Sequence, residues 1–167
     1  MNRELYECAS KTPELNGTGS TLVLATIKGN VLYVANIGDS RLYLLRGELE
    51  QITKDHSYVE ELVAMGKLKR GSRDYMEKKN IITRAVGVSD EVDTDLFALK
   101  LKSGDQILMC SDGLSNMVDE FEMEYIIRSE DGVKDRARAL VEAANRSGGQ
   151  DNISVVLIEP QIREVSL

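Results

Sequence analysis

The sequence predicts an α+β protein built on antiparallel sheet, and three observations carry that prediction. Short apolar runs separated by glycine-containing turns fill the first half; two helical stretches lie together near the other end; and a last apolar run follows them. No regular alternation of strand and helix is present, which argues against a doubly wound nucleotide-binding sheet. The strand-like runs show little polar alternation, so both of their faces are expected to be covered, which implies a sheet layered against a second sheet or against helices.

Residues 2–10 can form a helix with Leu5 and Ala9 on one side, although no capping residue precedes it and it reads as beginning inside an element. After a turn at Pro13 and a glycine-rich corner at residues 17–20, a strand is expected over 21–27. A hairpin turn at Lys28-Gly29-Asn30 leads to a returning strand over 31–37. Past Gly38-Asp39-Ser40 the pattern continues as strands over 41–46 and 49–52, an antiparallel meander. A short helix is expected over 59–65. The segment that follows carries Lys67, Lys69, Arg70, Arg73, Lys78 and Lys79 with few apolar anchors; it reads as a surface loop, either a solvated connection or a basic flap that guides an anionic substrate. Strands over 94–101 and 106–110 are separated by the turn at 102–105. Helices are expected over 119–129 and 133–147, the second with Val133, Ala137, Leu140, Val141 and Ala144 on one face and stopped by Gly148-Gly149. A strand over 153–158 closes the pattern, and residues 161–167 form a polar tail.

At 167 residues the chain has the size of one domain, and a composition 42% apolar and 29% charged is that of a folded globular chain rather than a disordered one. A single domain over 1–167 is expected. The formal charge of −7 disfavours nucleic acid, whose phosphate backbone needs a basic surface. No apolar window approaches the roughly 18 residues of a membrane span, and the start carries charge where a signal peptide would be apolar. No membrane partner and a cytoplasmic location are the resulting expectations. Cys8 and Cys110 are too few and too isolated for a disulfide framework or a thiolate metal site, and Cys110 ends an apolar run that suggests core packing.

Asp112, in Ser111-Asp112-Gly113-Leu114, and Asp151, in Gly148-Gly149-Gln150-Asp151-Asn152, each stand at the mouth of an apolar run beside glycines. Asp39, in Gly38-Asp39-Ser40-Arg41, repeats the design. Carboxylates so placed suit a hard cation with oxygen ligands. Taken singly, each also fits an ordinary turn or cap. Gathered at one edge of a sheet, they would repel one another unless a cation neutralised them, and such a centre would favour metal-assisted hydrolysis of a phosphate ester. The Gly17-Thr18-Gly19-Ser20-Thr21 run lacks the lysine of a phosphate-binding loop and precedes a strand instead of a helix.

Six motifs in order, Gly17-Thr18-Gly19-Ser20-Thr21, Val34-Ala35-Asn36-Ile37-Gly38-Asp39-Ser40-Arg41, Thr53-Lys54-Asp55-His56-Ser57, Thr83-Arg84-Ala85-Val86-Gly87, Ser111-Asp112-Gly113-Leu114 and Gly149-Gln150-Asp151-Asn152, resemble those of the bacterial metal-dependent type-2C (PPM) serine/threonine protein phosphatases, over residues 2–158. The resemblance implies a sandwich of two antiparallel sheets flanked by helices with Mn²⁺ or Mg²⁺ at one end. Asp112 and Asp151 match ligands of the two-metal centre. Asp39 matches a ligand of an additional, weaker site that Asp112 shares, and residues 58–79 match the family's flap. The implied reaction is attack of a metal-activated water on phosphoserine or phosphothreonine in a protein, with no catalytic side chain among these residues beyond the metal ligands. His56 does not match the family's proposed general acid and reads as a turn or surface residue.

The family's domain begins well before the residue that matches Met1, and roughly its first third, with a bridging acidic ligand, has no counterpart here. The expectation is therefore a partial domain that is weakly active or inactive alone, with uncovered sheet edges open to self-association. A non-catalytic phosphatase-like binding or regulatory module and a decayed gene product without activity are the alternatives.

Overall fold

A computed structural model describes residues 1–162; of the expected polar tail, 163–167 lie outside the described residues. The chain begins with helix α1 (Asn2–Lys11) and a 3-10 turn at Pro13–Leu15, then β1 (Leu22–Lys28), β2 (Val31–Ile37), β3 (Arg41–Arg46) and β4 (Glu48–Gln51). Helices α2 (Tyr58–Ala64) and α3 (Arg73–Lys78) follow, then β5 (Asp95–Lys100), β6 (Gln106–Cys110), α4 (Asp112–Ser115), α5 (Glu120–Ile127), α6 (Val133–Arg146) and β7 (Val155–Ile158).

Two antiparallel sheets result, a three-stranded one in the order β1-β2-β5 and a four-stranded one in the order β4-β3-β6-β7. The expected single meander is therefore corrected. β1 and β2 form a hairpin, with Leu22 opposite Ile37 and Lys28 opposite Val31, but β3 belongs to the other sheet. The crossing falls at Gly38, whose φ of +100° is open to glycine, and a Cβ there would lie 2.5 Å from Thr21 Cγ2. β5 and β6, close in sequence, also part company: β5 pairs with β2, whereas β6 lies between β3 and β7.

The consecutive buried run Leu42-Tyr43-Leu44-Leu45 explains how β3 holds the layers together. Its side chains alternate between two cores, as strand geometry requires. Leu42 and Leu44 join Leu32, Val34, Leu101 and Ile107 in a cluster shared by both sheets, with Val23, Ala25, Phe97 and Leu99 packed against it. Tyr43 and Leu45 point the other way, into a cluster with Leu108, Cys110, Leu114, Met123, Ile127 and Leu140, where α4, α5 and α6 cover the four-stranded sheet. Each large apolar side chain fully removed from water contributes about 1.5–3 kcal/mol before entropy is counted. Both faces of β3 are covered, as its sequence implied. β1 departs from that expectation: it is an edge strand, and Leu24 remains half exposed, with Tyr33 and Leu96 on the same outer face.

Helix α6 presents Leu140, Ala143 and Ala144 to the core and buries the Arg136 guanidinium, which donates to Gln106, to the Ile127 carbonyl and to Glu159. Helix α5 begins one residue after Asp119, whose carboxylate accepts the Glu122 amide as an N-cap. Among the described residues, no helix is long and apolar enough to cross a membrane.

Candidate metal centre

Asp39 stands on the crossing between the sheets. Around it Gly38 and Ser40 are locked: Thr21 and Ser40 share a hydroxyl hydrogen bond of 2.8 Å, and Gly38 is bonded through both of its peptide groups. Two residues on, Arg41 donates to both oxygens of Asp55 at 2.7–3.1 Å and to the Tyr43 hydroxyl at 2.9 Å. Arg41 is thereby committed, its guanidinium held more firmly protonated mainly through Asp55 despite the opposing effect of burial.

Asp112 opens α4, a four-residue helix absent from the expected pattern, directly after β6. Its Oδ2 accepts from Asn116 Nδ2 at 3.2 Å. Asp151 precedes β7, with Oδ1 accepting the Asn152 amide at 2.6 Å. Ser111 binds the two loops together. Its hydroxyl donates to the Asn152 carbonyl and accepts the Ser154 amide, each at 3.0 Å, while its own amide donates to the Ser154 carbonyl at 3.1 Å. Gly113 permits this approach, because a Cβ there would stand 2.3 Å from the Asn152 carbonyl oxygen.

Folding thus brings Asp39 and Asp112 into one cavity of about 220 Å³, together with Asp55, Lys79, Ser115 and Asn116. Burial, and after it the charges of Asp112 and Asp55, raises the Asp39 carboxyl to about 6. Burial, followed by the charge of Asp151, raises Asp112. The three aspartates therefore form two electrostatically coupled pairs that share Asp112. They do not close on a single point: among the described residues, no group of three or more His, Cys, Asp or Glu side chains could hold a metal ion. The donor chemistry nevertheless fits Mg²⁺ or Mn²⁺, since the pairs offer hard carboxylate oxygens and no soft ligand. Desolvated carboxylates that repel one another are also relieved by a cation. A larger cavity of about 700 Å³, bounded by residues 1–3 and 90–94, contains none of the three.

The segment 58–79, which lends Tyr75, Met76 and Lys79 to the smaller cavity, is more ordered than a surface loop. Ser57 caps α2 and Ser72 caps α3, a helix that the run of basic residues concealed. Glu60 ties the two together, accepting from Arg70 at 2.5–3.1 Å and from the Tyr75 hydroxyl at 2.7 Å. Burial favours protonation of Glu60, but its bonds from Arg70 and Tyr75 outweigh that and hold the carboxyl low, while burial and the bond to Glu60 push the Tyr75 phenol up to about 12. Lys79, just past α3, faces Asp112 across the cavity and favours its ionised form.

His56 is neither a turn residue at the surface nor solvated: it is 5% exposed. Its position in Asp55-His56-Ser57 was the available signal, but nothing local to the sequence shows that Gly38, Arg84 and Asp95 meet there.

The carboxylate-lined cavity lies beside α3, at the ends of β2 and β6. The family model for protein phosphatase 2C matches residues 2–62. The serine/threonine phosphatase stp of Listeria monocytogenes is 41% identical over 165 residues, 98% of this chain and 66% of that protein. The crystal structure of a bacterial serine phosphatase superposes with a TM-score of 0.92 at 33% identity, covering 98% of this chain and 67% of that one. The catalytic domain of the phosphatase PstP, solved in complex with two manganese ions, superposes with a TM-score of 0.83 at 38% identity and covers 93% of this chain and 65% of that one. This chain belongs to the protein phosphatase 2C family, and it spans 66% of the length of the Listeria relative.

Proposed function

We propose that the chain carries the Asp39, Asp112 and Asp151 part of a phosphatase centre that removes phosphate from phosphoserine and phosphothreonine in proteins, with Mn²⁺ or Mg²⁺ as cofactor. The observation that carries this reading is the meeting of Asp39 and Asp112 in one cavity, with Asp151, outside its lining, near enough to Asp112 to repel it. Asp112 and Asp151 would hold one cation and Asp39 with Asp112 another. A cation bound there supplies acidified water and neutralises phosphoryl charge. The chain's own residues do the rest. Lys79 provides a positive charge on the flap side for an incoming phosphate, Asn116 holds the Asp112 carboxylate in orientation, and the Glu60 network keeps the flap in shape.

Two carboxylates per pair are a sparse ligand set, so turnover by this chain alone is expected to be low. Incubating the chain with a phosphothreonine peptide and Mn²⁺ tests the reading: slow phosphate release that disappears in Asp112→Asn supports it, and release that is indifferent to Mn²⁺ or to Asp112 overturns it. That no three His, Cys, Asp or Glu side chains among the described residues could hold a metal ion favours a second reading, a non-catalytic module that keeps one cation, for which calorimetry would show Mn²⁺ binding without any release.

The charge of −7 supports a protein substrate rather than nucleic acid, and a cytoplasmic location without membrane partners is part of the same proposal. The open edge of β1, paired on one side only, supports self-association through strand pairing. Sedimentation that stays monomeric at high concentration would exclude it. Residues 1–167 are read as a single partial phosphatase-like domain with its flap at 58–79 and a tail at 161–167.

A further inference from the structure

We propose that His56 is the positioning residue of the Asp39 corner: its imidazole, neutral and protonated on Nε2, fixes Gly38, and the residue ties the backbone that carries Asp39 to the base of the flap. The link to a cation rests on the reading of Asp39 as a ligand; the positioning itself does not.

The tautomer follows from the partners. The Gly38 amide donates to Nδ1 at 3.0 Å, so Nδ1 carries no proton and the neutral ring holds its proton on Nε2. Nε2 lies 3.3 Å from Asp95 Oδ2, the acceptor that this proton requires. Arg84 Nη1 is 3.2 Å from the same nitrogen, but a guanidinium cannot donate to a protonated nitrogen; it donates to Asp95 Oδ1 at 2.9 Å. Asp95, at the start of β5, therefore accepts from Arg84 and sets its second oxygen beside Nε2.

The backbone completes the clamp. The His56 amide donates to the Gly38 carbonyl at 3.0 Å, so one residue engages both peptide groups of the glycine that precedes Asp39. Asn36, fully buried, donates to the Lys54 carbonyl at 2.9 Å and more weakly to that of Gly38 at 3.4 Å. The His56 carbonyl accepts the Thr83 amide at 2.8 Å, and Ser57 bridges to Ile82. The flap leaves the body of the protein at Ser57, the cap of α2, and returns through Ile82 and Thr83. His56 thus touches the ligand corner, both ends of the flap and β5 at once. With Gly38 held on both sides, the freedom left at the corner is that of the Asp39 side chain, and a shift of the flap base is passed to it through a single residue.

Because His56 is the only histidine, imidazole ¹⁵N spectra report on it without ambiguity. The expected result is an unprotonated Nδ1 and a protonated Nε2. Amide exchange and Mg²⁺ titration are then compared in wild type, His56→Leu, which removes the acceptor, and His56→Asn, which offers an oxygen near the place of Nδ1. In His56→Leu, exchange at Gly38 and Asp39 should quicken at least about tenfold with β6 unaffected, and Mg²⁺ affinity should fall about tenfold, the loss typical when a partner of a ligand is removed. His56→Asn should recover most of both. If His56→Leu does not fold, Asp95→Asn, which leaves the ring in place, should still quicken exchange at Gly38 several-fold. A ring protonated on Nδ1, or Gly38 exchange unchanged in His56→Leu and in Asp95→Asn, would overturn the proposal. A wild type whose spectra ignore Mg²⁺ would overturn the cation reading of Asp39, while the tautomer and exchange results would still decide the role of His56.

Discussion

At the scale of single residues, the centre depends on atoms that are absent as much as on those present. Gly113 has no side chain to strike the Asn152 carbonyl, and that gap lets the Asp112 and Asp151 loops lie in contact. Gly113→Ala is expected to separate them, destabilising the fold by about 1–3 kcal/mol through overpacking, which thermal melts would register. Mg²⁺ binding should weaken in parallel. Cys110 shows the opposite case, a reactive group made inert by its surroundings. Burial pushes its thiol up to about 12, whereas Cys8 is exposed. A thiol reagent at neutral pH should therefore modify one cysteine quickly in the native protein and the second only on unfolding; fast modification of both would contradict the placement of Cys110.

Between elements, an ion pair with one buried partner fixes a seam. Arg46 at the end of β3 donates to both oxygens of Asp105 at 2.5–2.8 Å, and Asp105, almost wholly buried, also accepts the Lys102 amide at 2.7 Å. This staples the β5 to β6 crossing to the four-stranded sheet. Burial would raise the Asp105 carboxyl, but Arg46 and the Lys102 amide outweigh it and hold it below its ordinary 3.8. A depressed folded pKa means that the contribution is fully present above about pH 4 and is lost as pH falls through the lower folded value. Asp105→Asn should thus cost about 1–3 kcal/mol at pH 7. Urea unfolding of both proteins should show that difference shrinking below pH 4. Most elements were legible within a residue or two, because apolar runs, glycine turns and caps are local signals. Helix α3 was hidden by its charge, since a helix lying on a cavity rim needs few apolar anchors. Helix α4 was hidden by its length, a single turn that Ser-Asp-Gly also permits as a plain loop.

For the whole molecule, the carboxylate pairs trade stability against cation binding. Asp112 is destabilised by burial and by Asp151, so Asp112→Asn should raise the melting temperature of the metal-free protein while abolishing its response to Mn²⁺. Wild type should gain about 2.7 kcal/mol at a Mn²⁺ concentration a hundred times the Kd. Calorimetric scans with and without Mn²⁺ would test this, and a variant that responds as the wild type does would argue against Asp112 as a ligand.

The sequence by itself determined the strand and helix types, the antiparallel layering and the three aspartates worth watching, because periodicity, turn glycines and strand-end carboxylates are written in neighbouring residues. Only the tertiary structure decided that β2 and β3 part into different sheets, that the aspartates couple in pairs through Asp112, and that His56 is buried. Those facts depend on contacts between segments distant in sequence, such as Gly38 with His56 and Gly113 with Asn152, whose meeting is set by how the two sheets pack and not by any local pattern.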